Sequence, residues 1–151
     1  MTLASVVIPT YNRCQDLARA LDQLERQVMI EPWDLELVVV DDGSSDGTGQ
    51  LLEQRRSTFR WPMRTIRQVN SGPARARNRG VEEARGEVIL FLGDDTVPCP
   101  DWAAHHLEEH RIHGASGELA VLGYTAFPLA DDTPFSRFIN EGGAQFGYAL
   151  I

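Results

Sequence analysis

The chain has 151 residues, 42% hydrophobic and 24% charged, enough to bury the core of one globular domain. Its net charge of −8 argues against general nucleic-acid binding, and all fourteen basic residues are arginine, which excludes chemistries that need a lysine, such as a phosphate-binding P-loop, a Schiff base or a receiver-domain phosphoacceptor. Two cysteines, Cys14 and Cys99, make neither a disulfide framework nor a metal spacing, and the opening MTLASVVIPTYNR has no basic or long apolar leader, so a reducing, cytoplasmic setting without a transmembrane segment is expected.

Leu3–Pro9 reads as a buried first strand, closed by Pro9 and the polar turn Thr10-Tyr11-Asn12. Leu17, Leu21, Leu24 and Val28 then recur at the spacing of an amphipathic helix, which Pro32 ends. Leu35–Val40 is a second strand, apolar and β-branched as burial on both faces requires, and it stops at Asp41 and Asp42. Unpaired carboxylates are expensive to bury, so the pair belongs at the strand's carboxyl end, the edge where open α/β sheets bind ligands. A plainer reading is an acidic loop that caps the next helix, with Ser45 as N-cap and Asp46 in the first turn. It accounts for those two residues but not for the doubled aspartate.

Ser45–Arg56 is the second predicted helix, and Met63–Val69 a third strand whose Arg64 and Arg67 point to a sheet edge or one wet face. Pro73 at a first helical position and Gly86 just past an end bracket a helix over 73–85, with Gly80 an unfavourable interior residue. Glu87–Leu92 is a fourth strand, and it too ends at paired carboxylates, Asp94 and Asp95. Pro98 and Pro100 separate these from a helix near 101–113, stopped by Gly114. Leu119–Tyr124 is predicted as a fifth strand, and Thr133-Pro134 as the start of a last helix through Phe135, Phe138 and Ile139. Strands alternating with helices predict a parallel, doubly wound sheet.

Charge is unevenly spread: residues 55–85 hold nine arginines against Glu82 and Glu83, net +7, between flanks of −7 (1–54) and −8 (86–151). A basic middle in an acidic chain suits a local anion site. The topology brings Thr10-Tyr11-Asn12, Asp41-Asp42 and Asp94-Asp95 to one sheet edge. Aspartates there can accept hydrogen bonds from a base or ribose, and the Tyr11 ring offers a base a stacking face. Asp94 and Asp95 suit a divalent cation that neutralises a diphosphate. The helix starting at Pro73 offers an anion site at its N-terminus, with Arg75 and Arg77 in its first turns. The arginines of 55–67 read as solvated surface. His106, His110 and His113, with Glu109, lack the order of a zinc-protease motif, and a solvated helix face is favoured over a metal site. Trp102 reads as a packing anchor rather than an acceptor platform.

Four words occur in order: VVIPTYNR (6–13), VVVDDGSSDGT (38–48), GPARARNRG (72–80) and EVILFLGDD (87–95), with Pro98 following. Together they resemble glycosyltransferase family 2. The resemblance covers residues 3–102 and implies a GT-A fold, a Rossmann-like, mostly parallel sheet with helices on both faces. It implies transfer of a sugar from a nucleotide-diphosphate sugar, UDP-linked by family bias, to the hydroxyl of a carbohydrate or other acceptor. Transfer would be inverting and assisted by Mn²⁺ or Mg²⁺. By the same resemblance, Pro9 and Tyr11 line the base pocket, Asp42 binds the base with Asp41 beside it, and Arg77 contacts the nucleotide. Asp94 lies near the ribose, and Asp95 is the metal ligand of the DxD motif.

Two departures stand out. Gly93 occupies the motif position that is often an aspartate, and the catalytic base is expected downstream of Ile151, because Asp131, Asp132 and Glu141 match no base pattern. Residues 1–151 are therefore expected to be the donor-binding part, incomplete at the C-terminus, with the acceptor half missing. Apolar surface bared on such a half would favour self-association as a homodimer. A dinucleotide-dependent oxidoreductase is excluded, since Pro9–Arg13 contains no glycine. The rival from another class is a nucleotide-sugar-binding module without turnover.

Overall fold

The computed structural model describes residues 2–114, 117, 119–126, 133, 134, 136 and 137. The chain divides into two units, Met1–Leu119 and Ala120–Ile151. The first alternates strictly: β1 (Thr2–Thr10), α1 (Cys14–Leu24), β2 (Trp33–Asp41), α2 (Thr48–Arg56), β3 (Met63–Arg67), α3 (Pro73–Glu83), β4 (Val88–Phe91) and α4 (Trp102–His113). Its four strands form one sheet in the order β3-β2-β1-β4, with every neighbouring pair parallel. The chain winds outward from β1 in one direction and then crosses to its other side, so a topological switch point opens between β1 and β4.

Cover on both faces explains why the central strands are apolar between their ends at every buried position but Ser5 and Glu36. Val6, Ile8, Leu35, Leu37 and Val39 face Leu17, Leu21, Leu24, Leu52 and Leu107 from α1, α2 and α4. Their alternates, Val7, Val38 and Val40, face Ala76 of α3 on the other side. Each fully buried Leu or Val contributes about 1.5–3 kcal/mol, so β1 and β2 form the centre of the fold.

Helix α3 approaches the sheet closely because its buried face is made of Ala76 and Gly80, one turn apart. A Cβ built on Gly80 would stand 2.3 Å from Val7 Cγ1. That accounts for a glycine that propensity alone disfavours. Gly80→Ala is expected to lower the unfolding free energy by about 2 kcal/mol in a urea titration, despite the better helix propensity of alanine. An unchanged or raised midpoint would mean that α3 is free to ride off the sheet.

The α3–β4 turn is pinned by a buried polar group. Ser5 donates to Glu36 Oε1 (2.6 Å), its cross-strand partner, and the two accept the backbone N–H groups of Arg85 and Gly86. Every buried polar atom named here is paired, so the glutamate is accommodated inside the sheet.

Several sequence expectations need correction. Helix α1 ends at Leu24, and Val28 is 57% exposed because its N–H donates to Pro100 O (2.7 Å), outside any helical register. Gln27 is the residue buried there, bonding Cys99 O and the N–H of Ala103. Helix α2 begins at Thr48 with left-handed Gly47 at its cap, not at Ser45. The arginines of 55–67 are not simply solvated. Arg55 pairs with Asp22 and Glu25 across α1 and α2, Arg64 bonds Glu83, and Arg60 stacks 4.4 Å over Trp61. Residues 119–126 form no ladder, and Leu122 and Tyr124 are 72% and 75% exposed. An apolar run becomes a strand only where a neighbour takes up its backbone groups, and no described strand pairs with this one. In the second unit, the N–H of Thr133 donates to Ser136 Oγ and the N–H of Ser136 to Thr133 Oγ1. Phe135, Phe138 and Ile139 lie outside the described residues.

Candidate functional site

The carboxyl ends of β1, β2 and β4 meet at the switch point. Thr10 and Asp41 are register partners there, and Leu92 continues past β4 with its N–H on Val7 O (3.1 Å). The loops leaving β1 and β2 are sewn together. Asn12, left-handed at φ 53, donates its N–H to Ser44 Oγ (2.9 Å) and accepts the N–H of Ser45 on Oδ1 (2.7 Å). Asp46 accepts the N–H of Cys14 (2.8 Å) and that of Thr48 (3.1 Å). One carboxylate thus serves the first turns of both α1 and α2, where helix dipoles favour negative charge. Its hydrogen bonds, with that from the Thr48 hydroxyl leading, hold its carboxyl below the usual aspartate range. The plainer reading of this loop is wrong about Ser45, and it sets Asp46 in the first turn of α2 when that residue stands before the cap, its carboxylate reaching forward to the N–H of Thr48.

Adjacent Asp41 and Asp42 have separate roles. Both are buried, at 2% and 3% exposure. Asp42 is nearly saturated: Oδ1 accepts Gln68 Nε2 (2.7 Å) and the N–H of Ser71 (2.9 Å), and Oδ2 the N–H of Gly72 (2.8 Å). Burial works against its charge, but these hydrogen bonds outweigh it and hold the carboxyl below the ordinary range. The anion at the start of α3 is thus the Asp42 carboxylate, where the sequence had suggested a bound phosphate. Asp41 takes the N–H of Ser44 on Oδ1 (2.8 Å), while Oδ2 is buried without a hydrogen bond, 3.9 Å from Arg67 Nε. Gly43 follows at φ +86, against Asn70 N and Gln68 O at 3.2 Å, where a side chain would be strained.

At the end of β4 the two motif carboxylates differ in exposure. The Asp94 side chain is 13% exposed and accepts Thr10 Oγ1 (2.8 Å), whereas Asp95 is 55% exposed. Burial pushes the Asp94 carboxyl up, against the opposing pull of the Thr10 hydroxyl and Arg13. Arg13 Nη1 donates to Asp95 Oδ2 and lies 3.9 Å from Asp94 Oδ1. Gly93 closes this turn, accepting the N–H of Thr96 (3.1 Å), and a Cβ there would press on Asp95 Oδ1 at 2.9 Å. Carboxylate oxygens are the donors that Mg²⁺ and Mn²⁺ take, commonly one or two from the protein with phosphate and water completing the shell. The Asp94–Asp95 pair fits that use. Among the described residues no group of three or more His, Cys, Asp or Glu converges into a complete cage.

The remaining expected site residues fall as follows. Pro9 is buried in β1, opposite Val40, and Tyr11 is 47% exposed at the strand's end. Arg75 and Arg77 are exposed on α3 and carry no hydrogen bond or ion pair among the described residues. Trp102 packs on the core edge-on to His106 at 5.4 Å, as a packing anchor should. His113 lies 3.6 Å from Glu109, and burial, with His110 and His105 adding to it, pushes the His106 ring down. Asp131, Asp132 and Glu141 lie outside the described residues. Nothing in the sequence pattern singles out Arg13, although it sits inside the first matching word. That pattern also missed the Thr10 hydroxyl and the double duty of Asp46.

An all-parallel 3-2-1-4 sheet with helices on both faces, and paired carboxylates at its switch point, is the Rossmann-like core of a GT-A fold. Glycosyl transferase family 2 matches residues 5–145, and the chain belongs to that family. Among its relatives is the uncharacterized glycosyltransferase YfnE of Bacillus subtilis, 36% identical over 72% of this chain and 27% of that protein. Another is the poly(ribitol-phosphate) beta-N-acetylglucosaminyltransferase TarS of Staphylococcus aureus, 34% identical over 71% of this chain and 19% of TarS. The crystal structure of S. aureus TarS 1-349 in complex with UDP-GlcNAc superposes with a TM-score of 0.66 at 30% identity, covering 76% of this chain and 32% of that one. Mannosyltransferase PcManGT from Pyrobaculum calidifontis, in complex with GDP-Man and Mn²⁺, does so at 0.65 and 27% identity, covering 71% and 32%. The chain spans between 14% and 41% of the length of the curated relatives it matches. Among the described residues no helix is long and apolar enough to cross a membrane.

Proposed function

We propose that this chain binds a nucleotide-diphosphate sugar, UDP-linked, and serves as the donor-binding part of an inverting, metal-assisted hexosyltransferase. The observation that carries this is the convergence of Asp41-Asp42 and Asp94-Asp95 on one switch point beside the exposed Tyr11. Related proteins solved with UDP-GlcNAc, and with GDP-Man and Mn²⁺, support the ligand class. In this reading Pro9, Tyr11, Asp41 and Asp42 surround the base, Asp94 the ribose, and Arg77 supplies an unpaired cation to the nucleotide.

Uracil and guanine each present a ring N–H beside a carbonyl, for which a carboxylate is a natural acceptor. Asp41 Oδ2, without a hydrogen bond of its own, offers that acceptor once the exposed Arg67 side chain releases Ser44 O and swings aside. Asp42 works one step back, holding the 68–72 loop that leads into α3. Asp95 would hold the divalent cation, which when bound neutralises charge on the departing diphosphate. Inversion follows if an acceptor hydroxyl, on a carbohydrate or another molecule, displaces that diphosphate directly from the opposite face of the sugar. The base that takes its proton is not among the site residues named here. A cytoplasmic location belongs to the same proposal, supported by two free thiols. A homodimer does too, resting on Phe91, 52% exposed on edge strand β4, and sedimentation reads it.

Calorimetric titration with UDP, GDP and CDP, in Mn²⁺ and again in EDTA, tests the reading. UDP is expected to bind in Mn²⁺ and to weaken at least about tenfold in EDTA. Absence of binding by every nucleoside diphosphate, in a sample shown to unfold cooperatively, would reject it. Binding of the donor without transfer or hydrolysis would favour the non-catalytic module.

A further inference from the structure

Arg13 has no part in the function proposed above, yet it occupies the most charged corner of the site. Its backbone is fixed by the turn before it: Asn12 is left-handed and held by Ser44 and Ser45, which anchors Arg13 at the entry to α1, beside the carboxyl end of β1. The guanidinium thereby reaches both motif carboxylates, donating to Asp95 Oδ2 and standing 3.9 Å from Asp94 Oδ1. A single cationic side chain thus serves both carboxylates. The two occupants compete. A guanidinium on Oδ2 uses lone pairs that a metal needs and sets like charge beside it.

Resting on the assignment of a cation to Asp95, we propose that Arg13 is the resident counter-ion of the Asp94–Asp95 pair, which the metal must displace. Asp94 is largely buried, so two adjacent carboxylates without a cation would be unfavourable there. Arg13 supplies that charge before the metal arrives. Its side chain is 48% exposed, so the guanidinium has open solvent to move into when it leaves. The released guanidinium stays beside the site, where an arriving diphosphate offers it new partners. Metal binding is therefore weak alone and strong with the nucleotide. The device couples the two ligands.

The test is Mn²⁺ alone on the whole chain, with free ion read by electron paramagnetic resonance. Arg13→Gln is expected to bind Mn²⁺ about tenfold more tightly than the unaltered protein, and Arg13→Lys to stay near it. Adding UDP should then tighten Mn²⁺ binding less in Arg13→Gln than in the unaltered protein. Equal Mn²⁺ affinity with and without the arginine, while Asp95→Asn still weakens it, overturns the counter-ion role and leaves the metal at Asp95. Equal tightening by glutamine and lysine also overturns it. Mn²⁺ binding untouched by Asp95→Asn removes the metal assignment and the counter-ion role together.

Discussion

Asp95→Ala is expected to abolish the metal-dependent part of UDP binding and leave the fold intact. Asp95 is the more exposed of the motif carboxylates, and its one side-chain hydrogen bond comes from Arg13. An exposed pair of that kind contributes about 1 kcal/mol or less, so thermal unfolding should barely move. The nucleotide should respond far more strongly. With Mn²⁺ present, the Kd for UDP should rise about a hundredfold, the equivalent of about 2.7 kcal/mol. In EDTA the variant should bind UDP no more weakly than the unaltered protein. A variant that keeps its Mn²⁺ dependence would move the metal elsewhere.

Asp42→Ala should show the opposite pattern, a large loss of stability that carries binding down with it. Its carboxylate takes three hydrogen bonds in a nearly dry setting, two of them from the backbone just before α3. Removing it leaves the N–H groups of Ser71 and Gly72 without acceptors, at a cost of about 3 kcal/mol. The pH dependence has a definite sign. The folded carboxyl titrates below its unfolded counterpart, near the ordinary aspartate value of about 4. Its stabilisation is therefore complete above that value and is lost as pH falls through the lower, folded one. Urea titrations of the unaltered protein and Asp42→Asn should thus differ most at neutral pH and converge toward pH 3. A gap that stays constant with pH would mean that the Asp42 charge contributes nothing to the loop.

The comparison of Asp42 with Asp41 shows where sequence ran out. That both end a buried strand was legible, because carboxylates cannot follow Val38–Val40 into a dry sheet and must mark its edge. Which of them keeps a spare oxygen was not. It depends on Gln68, Ser71 and Gly72, between 26 and 30 residues downstream, folding back over Asp42. The Leu35–Val40 and Glu87–Leu92 runs announced strands because burial on both faces demands an apolar run, interrupted inside them only by Glu36, whose buried partner Ser5 lies on another strand. Leu119–Tyr124 shows the same composition without a ladder, since composition cannot supply a neighbouring strand. Val28 kept the helical spacing, but a backbone bond to Pro100 took precedence.

What the sequence determined by itself was local and additive: which segments are apolar enough to be buried, where proline and glycine stop them, and which charged residues must sit at their ends. The family words carried the fold for the same reason, as each is a strand end with its turn. Tertiary structure alone decided the pairings. Arg13 and Asp95 are 82 residues apart and meet only because a parallel crossover sets β4 beside β1. Gly80 costs helix stability in its own segment and is required only because Val7 packs beneath it. Both follow from contacts across the sheet, which local preference does not encode.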